Sequence, residues 1–109
     1  MIYKKSTGCD DRVLVTFEIP GSVWAERIHL VGDFNEWDRE NLPLRLTRQG
    51  NWQIEIELTA GREYRFRYLI DGEGWGNDWH ADDHTPGVDG LSDSVVVANI
   101  AQTRDLALT

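Results

Sequence analysis

Residues 52–70 read WQIEIELTAGREYRFRYLI, and the two halves of this stretch decide the fold. In the first half Trp52, Ile54, Ile56 and Leu58 alternate with Gln53, Glu55 and Glu57. In the second, Tyr64, Phe66, Tyr68 and Ile70 alternate with Arg65, Arg67 and Leu69. A period of two sends successive side chains to opposite faces of a strand, whereas an amphipathic helix repeats at about 3.6 residues. Two strands are therefore expected, joined at Ala60 and Gly61. The apolar set in each is expected to face a core, which turns Arg65 and Arg67 to solvent.

Working outward, Val13, Val15, Phe17 and Ile19 alternate with Leu14, Thr16 and Glu18 and stop at Pro20 and Gly21, which predicts a third half-buried strand. Residues 27–31 and 94–98 complete the clear strands, and residues 2–5 and 44–46 read as short edges. Gly50 with Asn51 and Asp71 with Gly72 supply turns. Helical patterning is nearly absent. Several short strands separated by turn signals predict an all-β chain folded as one immunoglobulin-like antiparallel β-sandwich. Its core is expected over residues 12–98, with residues 99–109 as a tail or an edge strand at Leu106–Leu108.

A length of 109 residues suits one domain. It is too short for a (β/α)8 catalytic barrel, which takes about 250 residues, or for a dinucleotide-binding fold. The formal charge of −8 repels nucleic acid and anionic membrane surfaces, so neither is an expected partner; a neutral ligand is indifferent to it. The start MIYKKSTGCDD has no apolar run after Lys4 and Lys5, so no signal or membrane span is expected and a cytoplasmic setting follows. Cys9, the single cysteine, has no internal disulfide partner and reads as inert.

Five tryptophans are more than a core of this size uses. Trp52 is in phase with Ile54 and Ile56 and reads as core, and Trp24 as packing. Trp37 and Trp75 follow strand ends among turn residues, where exposure is expected. An exposed indole offers a flat apolar face with a polar edge, which suits the C–H face of a pyranose, although such residues also anchor protein interfaces. Arg67 is either a hydrogen-bond donor to such a ligand or one half of a charge pair with Glu55 or Glu57 across the sheet. The stretch 71–93 is long, rich in Gly, Asp, His and Trp, and weakly periodic, as functional loops are. Within it His80 and His84 stand near Asp78, Asp82 and Asp83, but HxxxH converges on a metal only on a helix, and none is signalled; no metal and no cofactor is expected. Gly72, Gly74 and Gly76 do not match a nucleotide loop, since no helix follows.

The segment HLVGDFNEWD, residues 29–38, followed by the strand from Trp52 to Leu58 and then YRFRYLIDGEGW, resembles carbohydrate-binding module family 48. That family includes the early-set domains of glycogen branching enzymes and isoamylases and the glycogen-binding domain of the AMP-activated protein kinase beta subunit. The continuation GNDWHADD looks most like small, stand-alone bacterial members. The resemblance spans residues 12–97 and implies a non-enzymatic early-set sandwich that binds α-1,4-glucans such as glycogen, starch and maltooligosaccharides. It implies Trp37 and Trp75 as sugar platforms, Arg67 at the family's basic position, Asp93 where an asparagine is usual, and Trp79, in place of a common proline, as an extension of the platform. One extra residue between Gly72 and Trp75 departs from the family's spacing. Two alternatives stand beside this reading. One is a protein-interaction module that keeps the fold and associates with a glucan-processing enzyme; the other is an independent hydrolase, which a lone sandwich without a deep cleft does not favour.

Overall fold

The computed structural model describes residues 2–9, 11–22, 25–78, 81–87 and 89–99. The elements in chain order are β1 (Ile2–Ser6), β2 (Arg12–Ile19), β3 (Ile28–Gly32), a 3-10 turn (Asp33–Asn35), β4 (Arg45–Leu46), β5 (Trp52–Thr59), β6 (Glu63–Ile70), β7 (Gly74–Gly76), β8 (Asp83–Pro86) and β9 (Ser92–Val97). They form two antiparallel sheets. One is ordered β1-β2-β5-β4, and the other β3-β6-β9-β8 with β7 added to β6. The all-β sandwich expected from the alternation is the fold.

The period-two signals locate the core. Val13, Val15, Phe17 and Ile19 on β2 and Phe66 and Tyr68 on β6 are buried, and they pack with Ile28, Leu30, Leu44, Leu58 and Val96 between the sheets. Phe17 and Phe66 meet edge to face with centroids 5.0 Å apart, an arrangement aromatic quadrupoles favour. Trp52 is half-buried against this cluster, as its phase predicts. β5 and β6 are neighbours in sequence but lie in different sheets. Ala60 and Gly61 therefore cross between layers instead of closing a hairpin.

This crossing corrects one expectation. Glu55 and Glu57 lie on β5, which pairs with β2 and β4, so they cannot partner Arg65 or Arg67 on β6. Instead β6 pairs with β3 along one edge. Along the other it pairs with β9 up to Phe66↔Ser94 and with β7 from Tyr68↔Gly76 onward. Arg67 thus stands at the junction where β9 gives way to β7. The stretch 71–93 also holds more regular structure than its composition suggests, because β7 and β8, built from Gly, Trp, Asp, His, Thr and Pro, pair through their backbones with β6 and β9. Trp24, Trp79, His80 and the expected strand at Leu106–Leu108 lie outside the described residues.

Candidate functional site

The loop after β3 is built around two side chains. Asn35 Oδ1 accepts the Gly32 N–H, and Asn35 Nδ2 donates to Asp38 O at 3.0 Å and to Asn41 Oδ1 at 2.7 Å. Asp38 Oδ1 in turn accepts the N–H groups of Glu40 and Asn41. Local bonds of this kind let Asn and Asp hold tight turns. Phe34 points inward, 5.8 Å from the Phe17 ring, while Glu36 and Trp37 take left-handed backbone angles. A Cβ at Gly32 would lie 2.5 Å from Arg65 O and 2.8 Å from Phe66 Cβ, so only glycine lets the loop leave β3 this close to β6. Trp37 emerges on the outer face of the five-stranded sheet. Its Nε1 donates to Asp33 Oδ1 at 2.9 Å, and the other Asp33 oxygen accepts the Arg65 N–H at 2.8 Å.

The second tryptophan comes from the far side of the sheet. Trp75 lies on β7 opposite Leu69, so the extra residue between Gly72 and Trp75 does not take it off the sheet. Trp37 and Trp75 are both half-buried and line one cavity of about 380 Å³, together with Asp33, Arg39, Arg65, Arg67, Asp89 and Asp93. The sequence-derived residues Trp37, Arg67, Trp75 and Asp93 are thus brought together.

Arg67 does not face solvent, as strand alternation alone implies. It is 5% exposed, and so is Asp93. Arg67 Nε donates to Asp93 Oδ1 at 2.6 Å, its two Nη atoms donate in parallel to Asp89 at 2.8 Å, and Nη2 also reaches Leu91 O at 3.4 Å. Such a fork matches the planar guanidinium to a carboxylate and fixes it in place. The hydrogen bond to Asp89 and the one to Asp93 raise the affinity of Arg67 for its proton against the opposing effect of burial. Reciprocally, Arg67 and then the Leu91 N–H hold the Asp89 carboxyl well below the usual carboxylate range. Arg67 Cζ lies 5.6 Å from the Trp75 ring centroid, within cation–π range.

Asp78, Asp82 and His84 serve structure. Asp78 Oδ2 accepts the buried Tyr68 hydroxyl at 2.8 Å, and the Asp78 N–H donates to Ser94 Oγ. Burial, and then the Asp78 charge, push the Tyr68 hydroxyl well above its usual pKa. His84 Nε2 lies 2.8 Å from Asp78 O, and Asp82 binds Lys4 Nζ and the Val97 N–H, each at 2.7 Å. No group able to hold a metal occurs among the described residues. Among them there is also no helix long and apolar enough to cross a membrane.

Sequence reasoning passed over Asp33, Arg39 and Asp89. Asp33 sits inside the GDFNEW motif that identified Trp37, and its motif position was the available signal. Arg39 and Asp89 carry none, being ordinary surface types in polar loops.

A β-sandwich with two tryptophans converging on one sheet face defines the class, and the family model for carbohydrate-binding module 48, the isoamylase N-terminal domain, matches residues 19–85. The chain belongs to that family, and its fold is the early-set sandwich. It is similar to the 1,4-alpha-glucan branching enzyme GlgB of Rhodopseudomonas palustris, 39% identical over 51 residues that cover 46% of this chain and 7% of the enzyme. It is also similar to 1,4-alpha-glucan branching enzyme GlgB 2 of Rhizobium johnstonii, 41% identical over 58 residues, 49% of this chain and 8% of that enzyme. The GlgB of Burkholderia pseudomallei is 41% identical over 56 residues, 44% of this chain and 8% of the enzyme. The matched segment is thus a small part of each relative's length.

Proposed function

We propose that the outer face of the five-stranded sheet binds α-1,4-glucans such as glycogen, starch and maltooligosaccharides without cleaving them. The observation that carries this reading is the convergence of Trp37 and Trp75 in one shallow cavity whose remaining lining is polar. Two indoles stack on pyranose C–H faces, and the surrounding guanidinium and carboxylate groups exchange hydrogen bonds with hydroxyls. Arg67 and Asp93 form the floor of the site, because their mutual hydrogen bond and the Asp89 fork already engage the guanidinium. Trp79 is proposed as an extension of the platform, on the family resemblance alone.

The electrostatics support a binding role over a hydrolytic one. Glycoside hydrolysis needs a carboxylic acid whose pKa is raised so that it can protonate the leaving oxygen. Asp89 is held in the opposite direction by Arg67, Asp93 is paired to the same guanidinium, and both Asp33 oxygens accept N–H donors. The matched branching enzymes suggest that such a domain works beside a glucan-processing enzyme, and that association is part of the proposal. A shallow two-platform site implies a Kd on the order of ten micromolar to millimolar.

Calorimetric titration with maltoheptaose tests the reading. Saturable heat is expected from the wild type, with loss of binding in Trp37→Ala and in Trp75→Ala and no heat from a β-linked glucan. A folded wild type that gives neither heat nor a tryptophan fluorescence change at millimolar sugar would falsify it, and the protein-interaction role would then be pursued.

A further inference from the structure

The two arginines near Trp75 are not equivalent. Arg67 is rooted in the sheet by Asp89 and Asp93 and places its Cζ 5.6 Å from the ring centroid. Arg39 stands on the exposed loop that follows Trp37, forms no ion pair among the described residues, and places its Cζ 5.2 Å from the same ring centroid. Both guanidiniums thus lie within cation–π range of one ring, and of the two only Arg39, on an exposed loop and without an ion pair among the described residues, is free to leave it. A pyranose stacks at van der Waals contact, about 3.5–4 Å between carbons, so it competes with a guanidinium whose Cζ stands 5.2 Å from the ring centroid.

We propose that Arg39 is a displaceable cap on the Trp75 platform and sets the affinity of the site, because a glucan must exchange with it before stacking. The inference rests on the glucan-binding reading above. Beside the site lies a second cavity of about 440 Å³, lined by Arg27, His29, Arg39, Glu40, Leu69 and Gly72. Arg39 lines both cavities, so a change of side-chain rotamer moves its guanidinium from one to the other. In the second cavity the Glu40 carboxylate offers an ionic partner, while Arg27 opposes a permanent stay there. Trp37 has no such cover, since its indole edge is held by Asp33 and no cation lies over its face among the described residues. The two platforms then differ in kind: Trp37 carries no cation that a sugar must displace, and Trp75 opens when sugar arrives.

Removing the cap abolishes a cation–π contact that competes with the ligand. Arg39→Ala is expected to bind maltoheptaose about two- to fivefold more tightly than wild type, the equivalent of one exposed cation–π contact, with an unchanged melting temperature. Weaker or unchanged binding by the folded variant overturns the cap and makes Arg39 a direct sugar donor or a bystander. Acrylamide quenching without sugar separates the cap from the glucan reading. Arg39→Ala is expected to raise quenching over wild type, and the increase is expected to vanish when both proteins carry Trp75→Phe. Equal quenching overturns the cap even if sugar binds. If no variant binds sugar and quenching still rises, the glucan reading fails and the exchange fails with it, while the covering of the ring stands.

Discussion

On the four-stranded sheet the outer face carries Tyr3, Lys5, Arg12, Leu14, Thr16, Glu18, Gln53, Glu55 and Glu57, all partly or fully exposed. Its ion pairs are long, with Lys5 to Glu55 at 4.0 Å and Arg12 to Glu57 at 3.9 Å, between side chains that are roughly half exposed. On the five-stranded sheet the corresponding outward positions of β3 and β6 are His29, Val31, Glu63, Arg65, Arg67 and Leu69. Val31, Arg67 and Leu69 are 0%, 5% and 4% exposed even though they point away from the inter-sheet core. A covalent pattern that alternates in the same way therefore gives two different surfaces. The first is a solvated wall. The second carries Trp37 and Trp75, and at its centre Arg67 and Asp93 are buried and paired at 2.6 Å, with Asp89 joined to the same guanidinium at 2.8 Å. Where a sheet exposes one face to water, alternation predicts burial; where loops fold back over that face, it fails, and here the failure falls at the candidate site.

The sharpest way to break this contrast is to remove the cation from each face. Arg67→Met leaves Asp93 buried without its partner, and loss of one member of a buried pair costs about 3–5 kcal/mol. Asp89 contributes less to that cost, since its side chain is 46% exposed and water can take over. Arg12→Met on the other face is expected to cost no more than about 0.5 kcal/mol, because exposed pairs contribute little. Urea denaturation of both variants measures the difference. A double variant, Arg67→Met with Asp93→Leu, is expected to recover most of the loss, since well-packed apolar replacements for a buried pair are often neutral. Equal costs for Arg67 and Arg12 would mean that the two faces are energetically alike.

How much of this was legible follows from the range of each signal. The core of β2, β5 and β6 was legible because Val13 to Ile19, Trp52 to Leu58 and Tyr64 to Ile70 repeat every second residue, and one buried face is enough to impose that repeat. β7 and β8 were not, because Gly74–Gly76 and Asp83–Pro86 are held by backbone bonds to β6 and β9 and have no apolar set of their own. Trp37 and Trp75 stood out as aromatics among turn residues. The environment of Arg67 could not be read locally, because its partners lie 22 and 26 residues downstream and meet it only at the junction of β9 with β7. The alternative that paired the β6 arginines with Glu55 and Glu57 failed for the related reason that spacing does not say in which sheet a neighbouring strand lies.

A second test adds volume beneath the site. A Cβ at Gly87 would overlap the Arg67 guanidinium and lie 2.8 Å from Leu91 O. Gly87→Ala is therefore expected to push Arg67 out of its fork at a cost of about 1–3 kcal/mol, as overpacking does. Because the guanidinium supports Trp75, maltoheptaose affinity is expected to fall with stability. Gly61→Ala is the control. Its positive φ costs stability, but a Cβ there meets no atom within 4 Å, and it lies away from the cavity, so sugar affinity is expected to stay at the wild-type value. If Gly87→Ala loses stability and keeps full affinity, the floor does not support the platform.

The smallest effect concerns pH and separates the two faces by their response to acid. The Asp89 carboxyl has a folded-state pKa depressed by Arg67, while in the unfolded chain it returns to about 3.9. The folded protein thus binds fewer protons there, so the stabilisation is complete above about pH 4 and is lost as pH falls toward the folded-state value. Asp71, depressed by the N–H groups of Arg27 and Glu26, contributes with the same sign. Asp89→Asn is accordingly expected to flatten the fall in melting temperature between pH 5 and pH 2 without abolishing it. Added salt should weaken this contribution less than that of Lys5 with Glu55, because the Arg67 side of the pair is buried whereas both members of the pair on the open face are exposed. An Asp89→Asn profile that parallels the wild type would show that Arg67 draws its support from Asp93 alone, and the difference between the faces would then reduce to a single buried pair.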